Sequence, residues 1–413
     1  MKGPQWRRNL AITAFAALLL INCGSGQASS SGGAHSTITV GYEMPLSGPF
    51  AALGTQERNG WNLAMKQHQS SAGGHPIKTI FGDNQFDPDV SLTLAKQFVE
   101  SNHVDMMEGP SDSASLLALV NYLGPKGVPT DDITFCASQQ LDAYKKYHYG
   151  FTSGWSCPQQ LATLADWAAR TQHYRNVTVI GLDNAYGWVT VGSFLSTFRK
   201  AGGTVSKVMW APGTTTDFAP YISQIPSNTG AVFAELSGAT AIQFTKAYRK
   251  FGLKYPLMGG SVLTDQSIMP ALGDVSTGVT VASNYCEGNP DSSTKKFVSD
   301  FKKEYGILPG GQAEGGYVKA LLVLAAVKKL GSTAPTHANL LKALMTTPIT
   351  TPHGPMAINK TYYAADENIY ICRVQNTADG LENVPIKTYP NQPPLKKGQM
   401  ESFAHDSAAR PST

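Results

Sequence analysis

Charged side chains are few in this chain of 413 residues: 15% are Asp, Glu, Lys or Arg, while 42% are hydrophobic. That balance excludes a disordered chain and leaves ample material for a core. The net charge of +4 is spread along the sequence, with dense pairs only at "RR", "KK" and "RK". A nucleic-acid surface concentrates its positive charge, so no nucleic-acid partner is expected. Long hydrophobic runs are also missing. The apolar run Leu10 to Ile21 is too short to cross a bilayer, and it suits a secretory signal behind the basic Lys2, Arg7 and Arg8. Enzyme signatures are missing as well. There is no G-x-x-x-x-G-K-[ST] loop, no G-x-G-x-x-G after a strand and no H-E-x-x-H. "GFTSGW" around Ser153 does not fit a nucleophile elbow. The nine histidines do not cluster, and Asp83, Asp87 and Asp89 lack the Gly and distant Glu of a calcium loop. A strand end followed by a helix N-cap explains those three acids better. No catalysis, metal or cofactor is expected.

Cysteine is scarce but placed. Cys23 directly follows the apolar run, and "GSGQASSSGGAHS" behind it reads as a flexible tether. The position resembles the lipobox of bacterial lipoproteins, in which the thiol is acylated, although Asn22 stands where Gly, Ala or Ser is usual. An ordinary signal peptide cleaved after Ala28 is the alternative. Either way, residues 1–36 are expected to be signal and tether outside the fold. Cys136, Cys157, Cys286 and Cys372 remain, an even number that permits two disulfides in an exported chain. Cys136 and Cys157 are nearest in sequence and form the first candidate pair; four buried free thiols are the alternative. No spacing resembles a zinc site.

From Thr37 on, strands and helices alternate. "STITVGYEMP" reads as a strand and "TQERNGWNLAMKQHQ" as an amphipathic helix. "HPIKTIFGDN" is a strand, and "DPDVSLTLAKQFVESN" a helix with Asp87 as N-cap and Pro88 at its first position. "VDMMEGP", "DSASLLALVNYLGPKG" and "VPTDDITFCA" continue the rhythm. The pattern restarts at "CPQQLATLADWAARTQ" and runs to "YPLMGGS". Such βαβ repetition predicts parallel sheets covered by helices on both faces. Two long helices follow at "DSSTKKFVSDFKKEYG" and "QAEGGYVKALLVLAAVKKLG", and "NIYICRVQN" reads as a last strand. The Pro-rich residues 385–413 are expected to be loose. Ligands bind such sheets at the carboxyl ends of their strands. "EGPSDSAS" puts Ser111 and Ser113 between a strand and a helix start, and "FCASQQL" puts Ala137 and Ser138 in the matching place. Free N–H groups at a helix start suit a carboxylate, with plain N-capping as the alternative for each serine.

"GYEMPLSGPFAALGTQERNGWNLAMK" resembles the first strand, loop and helix of type I periplasmic binding proteins. It is most similar to the branched-chain amino acid (Leu/Ile/Val) receptors of ABC importers. "DNQFDPDVSLTLAKQFVE", "VDMMEGPSDSAS", "FCASQQL", "NAYGWVTVGSFLSTFRKAGGTV" and "FVSDFKKEYGILPGGQAEGGYVKALLVLAAV" extend the resemblance over about Thr37 to Asn376. It implies an α/β fold of two Rossmann-like lobes joined by three hinge crossovers, near Ser153, Ser283 and Thr350. The lobes would hold residues 37–153 with 284–350, and 154–283 with 351–384. Ser47–Gly48–Pro49 would lie at the rim of the cleft. The resemblance also implies a monomeric, extracytoplasmic receptor, lipid-anchored or periplasmic, that serves separate permease and ATPase chains. Ser111, Ser113, Ala137 and Ser138 would hold the ligand's carboxylate, and Tyr186 and Tyr317 would contact the rest. Amino-acid receptors of this family usually carry an acid after "MG" in the second lobe to pair the ammonium. Here "LMGGSVLTDQ" puts Ser261 at that place, with Asp265 a turn further on and Glu235 at the previous strand end as substitutes. The departure opens a second ligand class: an aromatic or aliphatic carboxylate, or an amide. A sensory protein on the same fold is the alternative role.

Overall fold

The computed structural model describes residues 36–396 together with 399, 403, 405, 410 and 411. Cys23 and the signal segment lie outside the described residues. The chain begins with β1 (Ile38–Met44), α1 (Ala51–Gln67), β2 (Ser71–Ala72), β3 (His75–Asp83), α2 (Pro88–Lys96), β4 (Met106–Glu108), α3 (Ser113–Lys126), β5 (Thr130–Phe135), α4 (Ser138–Tyr147) and β6 (Gly150–Ser156). The rhythm repeats in α5 (Cys157–Asp166), β7 (Asn176–Leu182), α6 (Ala185–Lys200), β8 (Thr204–Ala211), α7 (Ala219–Ile222), β9 (Ala231–Glu235), α8 (Gly238–Lys250), β10 (Leu257–Gly260), α9 (Met269–Leu272) and β11 (Thr280–Ser283). It closes with α10 (Ser292–Tyr305), α11 (Gly311–Leu330), α12 (His337–Met345), β12 (Ile349–Thr351), β13 (Gly354–Asn359), β14 (Ala364–Thr377) and β15 (Gly380–Gln392).

The strands lie in the order β2-β3-β1-β4-β5-β6-β14-β11-β10-β9-β7-β8. β1 pairs in parallel with β3 and β4, and β4, β5 and β6 follow in parallel. We call this half lobe 1. β7 to β11 form the parallel half that we call lobe 2. The connections are right for this pattern: each parallel step needs a crossover, and a helix supplies it. α1 and α11 cover one face of lobe 1, where Tyr42, Trp61, Phe151 and Val318 share a core. In lobe 2, Phe194 stacks on Phe233 at 4.0 Å between centroids, and Phe218, Phe244 and Tyr248 pack on the other face.

β14 joins the halves. Its first residues pair with β13 and, at Ala364, with Thr152 of β6, whereas Tyr370 to Arg373 pair antiparallel with β11. The third crossing expected near Thr350 therefore falls inside β14, because residues 354–366 still pair in lobe 1. The expected loose tail is also corrected. Residues 385–392 belong to β15, which pairs with β14 as a long hairpin. Pro385 and Pro390 masked it in sequence, and both are tolerated because β15 pairs with β14 alone. Beyond it, Ser156 donates to the carbonyl of Pro394 at 2.9 Å, and Phe403 stacks on Phe135 at 5.2 Å. Cys136 is bonded to Cys157 and Cys286 to Cys372. Among the described residues no helix is long and apolar enough to cross a membrane.

Candidate functional site

A cavity of about 210 Å³ lies between the lobes at the carboxyl ends of the strands. The loop after β1 builds one wall. A short helical turn, Gly48–Phe50, carries the Phe50 ring to within 4.3 Å of Phe86, stacked at 26°. Asp83, at the end of β3, fastens the two loops by accepting from the N–H groups of Leu46 (2.8 Å) and Gln85 (3.1 Å). Burial alone would raise the Asp83 pKa; the hydrogen bonds from Ser47, Leu46 and Gln85 outweigh it and hold the carboxyl below its usual range. Ser47–Gly48–Pro49 thus turns the corner that presents Phe50. Leu53 and Trp155 add apolar surface beside this pair.

The rest of lobe 1's lining is polar. Ser111 and Ser113 both reach the cavity. Ser111 donates its hydroxyl proton to Glu57 at 2.5 Å. Asp112 caps α3 by accepting from the Ser115 N–H at 2.8 Å, so a protein carboxyl already sits on that helix start. Ala137 and Ser138 do not line the cavity; Thr134, at the end of β5, does so in their place. Ala137 is buried, and the Ser138 hydroxyl turns toward Gln139 at 3.4 Å. Asp112 Oδ2, Ser113 Oγ, Thr134 Oγ1 and Gln312 Oε1 are buried polar atoms without a hydrogen-bond partner among the described residues. All four belong to cavity-lining residues. Buried polar atoms are normally satisfied, so these four set the cavity wall apart as its incompletely paired polar part.

Lobe 2 contributes the starts of two helices. Asn184 caps α6 through the Gly187 N–H at 2.9 Å, and Ala185 and Tyr186 line the cavity in its first turn. Ser237 precedes α8 without a side-chain cap. Leu182 and Val262 complete this side. Glu235 does not reach the cavity. It accepts from the Tyr186 hydroxyl at 2.6 Å and from the Gly260 N–H at 2.9 Å. Burial pushes it up to about 7, against both hydrogen bonds. A side chain at Gly260 would meet the Glu235 carboxylate at 2.7 Å, so glycine is what lets that carboxylate close on the backbone. Asp265 is also committed elsewhere. It accepts from the Ser267 and Gly311 N–H groups at 2.8 Å each, holding the start of α11 from across the cleft. Ser261 turns away toward Gln160 at 3.5 Å. Tyr317 is a correction. Its ring lies 4.7 Å from Phe297 and its hydroxyl donates to Gln67 at 2.8 Å, so it is a packing residue between α1, α10 and α11.

The Cys136–Cys157 disulfide lies beside Val189 and Tyr186, joining the loop after β5 to the start of α5. Sequence reasoning missed Phe50, Phe86, Trp155, Thr134, Asn184, Ser237, Val262 and Gln312. Asn184 and Ser237 carried a usable signal, since each is a small polar residue between a strand end and a helix start.

The described residues hold no group of three or more His, Cys, Asp or Glu able to bind a metal. A family model described as "Periplasmic binding protein" matches residues 37–380. "Leu/Ile/Val-binding protein homolog 6" of Brucella melitensis is 27% identical over 370 residues, covering 86% of this chain and 92% of the relative. A solute-binding protein of an ABC transporter from Rhodopseudomonas palustris, solved with 3,4-dihydroxybenzoic acid, superposes with a TM-score of 0.81 at 26% identity, covering 86% of this chain and 98% of that one. A leucine-binding protein of Thermotoga maritima shares the fold, with a TM-score of 0.75 at 18% identity over 84% of this chain and 99% of that one. The chain belongs to the periplasmic binding protein family, in the type I branch of the Leu/Ile/Val-binding homologues, and is an extracytoplasmic solute-binding component of an ABC transporter rather than an enzyme.

Proposed function

We propose that the cavity takes a small aromatic carboxylate rather than an α-amino acid. The observation that carries this reading is the commitment of Glu235 and Asp265. Each is closed off by protein donors, Glu235 by Tyr186 and Gly260, Asp265 by Ser267 and Gly311. An ammonium would find no counter-charge on lobe 2, and an unpaired buried charge binds poorly. The remaining surfaces suit a flat acid. Phe50, Phe86, Trp155 and Tyr186 offer ring faces and edges. α8 begins at the cavity without a side-chain cap, and its first-turn N–H groups favour an anion. The relative solved with 3,4-dihydroxybenzoic acid supports the same class. An α-amino acid is the competing reading, with Asp112 as the cavity-lining carboxyl left to pair its ammonium. The receptor works as a monomer, passes its ligand to separate permease and ATPase chains, and is tethered to the membrane through lipidated Cys23.

A thermal-shift screen of the protein lacking residues 1–36 tests the ligand class. Benzoate, its hydroxylated forms, leucine, isoleucine and valine form the panel. A ligand at a hundred times its Kd stabilises by about 2.7 kcal/mol, which moves the transition visibly. Shifts with the aromatic acids alone are expected. Shifts with the branched-chain amino acids alone would overturn the reading and assign the ammonium to Asp112.

A further inference from the structure

The carboxylate of Asp265 divides its two oxygens between the lobes. Oδ1 accepts from the Ser267 N–H at 2.8 Å, within lobe 2, and Oδ2 accepts from the Gly311 N–H at 2.8 Å, at the start of α11 in lobe 1. The Asp265 carbonyl takes the N–H groups of Ile268 and Met269 at 3.0 Å each, so the residue itself is anchored in lobe 2. The α11 side lacks a cap of its own. Gly310 precedes the helix and has no side chain to offer. Its N–H goes to Oε1 of Gln56 on α1 at 3.0 Å, a partner within lobe 1. The next two donors, Gly311 and Gln312, turn to Asp265 instead. A carboxylate is a favoured partner for a helix start, and here it comes from the other lobe.

Gly310 shows how closely the two sides are fitted. Its φ of −85° is open to any residue, yet a Cβ there would lie 2.5 Å from each Asp265 carboxylate oxygen. Its missing side chain is room for that carboxylate. Gln312, one residue beyond Gly311, lines the cavity, while Ser283 and Tyr285 of the second crossing share a small enclosed space with Asp265 and Gly311. The contact thus stands between the hinge and the ligand. Burial raises the Asp265 pKa on balance, against the hydrogen bonds from Ser267, Gly311 and Gln312. That desolvation cost offsets much of what the bonds gain, which leaves a contact that can be broken and remade. A hydrogen bond of this length is lost once its partners part by about 1 Å, and water then serves both ends.

We propose that Asp265 is a closure latch, a positioning residue of lobe 2 that caps α11 of lobe 1 when the lobes meet, fixes Gln312 at the cavity wall, and lets go when they part. The inference needs a two-lobed receptor and does not depend on the aromatic ligand class.

Two variants disable the latch from opposite sides. In Asp265→Asn an amide nitrogen, which only donates, replaces one of the two accepting oxygens, so Ser267 and Gly311 can no longer both be served. In Gly310→Ala the new methyl displaces the carboxylate and leaves its charge intact. The purified protein and both variants are titrated with benzoate, 3,4-dihydroxybenzoate, leucine, isoleucine and valine. Stopped-flow rates are measured for every solute that binds, and small-angle X-ray scattering for each chain with and without the panel. Both variants are expected to release a bound solute about tenfold faster at an unchanged association rate, the size of one hydrogen bond to a charged group. Their Tm without solute stays at the native value. In whichever state the native chain is compact, the variants scatter with a larger radius of gyration. Should Gly310→Ala fail to fold, Asp265→Asn carries the comparison. Radii that match the native chain in every state overturn the inference, whether or not a panel solute binds. A lowered Tm without solute, with release rates unchanged, also overturns it, since Asp265 would then be a permanent cap. A chain that binds none of the aromatic acids sinks the proposed ligand class and leaves the scattering comparison to decide the latch.

Discussion

Lys319 shows how much of this molecule is decided by single residues. It lies on α11 with no exposed side-chain surface, 2.8 Å from Glu108 and 3.3 Å from Asp131 Oδ1, and it donates to the Asp131 carbonyl at 2.6 Å. Burial would lower its pKa, yet Asp131 and Glu108 raise it on balance, so the ammonium stays charged. The same acids are pushed up by burial and rely on Lys319 to oppose that push. Lys319→Met keeps the length and removes the charge. It is expected to lower stability in urea by about 3–5 kcal/mol, the usual loss when one partner of a buried pair is removed. A loss under about 1 kcal/mol would mean that the acids were already neutral. None of this could be read in sequence, where Lys319 interrupts an apolar helix and its partners stand 188 and 211 positions away. Ser111, Ser113 and Tyr186 were legible for the opposite reason. Each sits one short loop beyond a strand, and that local rule suffices to bring it to the sheet's carboxyl edge. Phe50 and Phe86 were not legible, because a loop aromatic faces a cavity or a core according to tertiary packing alone.

Elements meet through what their surfaces allow. α1 and α11 approach so closely that a Cβ on Gly60 would lie 1.8 Å from the Ala313 carbonyl oxygen, and one on Gly316 2.0 Å from that of Glu57. These two glycines let backbone touch backbone, which sets Glu57 of α1 under Ser111 and Gln312 of α11 at the cavity wall. Gly316→Ala would have to part the helices. Overpacking of this kind costs about 1–3 kcal/mol. We expect a lower Tm in thermal denaturation and weaker ligand binding in titration, since the pair carries part of the site. A variant with unchanged Tm and affinity would show that the contact can relax. The helices and parallel strands themselves were readable from periodicity, since each buries a regular face. Two pieces were not. β15 contains prolines that a strand rarely tolerates, and its edge place was invisible before the fold was known. Residues 219–222 form only one short turn of helix, because Pro226 follows within the next turn and disfavours helical backbone before it.

The whole molecule turns on the place where its lobes exchange chain. His353, in the turn between β12 and β13, lies with Nδ1 2.7 Å from Glu314 of α11 and Nε2 3.2 Å from Glu367 of β14. Asn284, just after β11, donates to Glu367 at 3.2 Å, and Gln160 of α5 donates to Asn284 at 3.3 Å. One buried polar chain thus ties the segments of all three crossings. Burial alone would lower the His353 pKa, but Glu314 and Glu367 raise it from 6.5 to about 10. The sign of the pH dependence follows. A folded pKa above the unfolded one contributes stability that is complete below 6.5 and fades as the pH climbs through about 10. His353→Gln removes that contribution at every pH. The difference in Tm between the native chain and this variant should be largest near pH 6, smaller at pH 8 and smallest at pH 10. Calorimetric scans at the three values measure it. A difference that does not change across them would mean that His353 is neutral throughout, and that packing and neutral hydrogen bonds alone hold the crossings together. A shrinking difference would instead show that His353 carries its proton between Glu314 and Glu367 and that this charge helps to hold the crossings together.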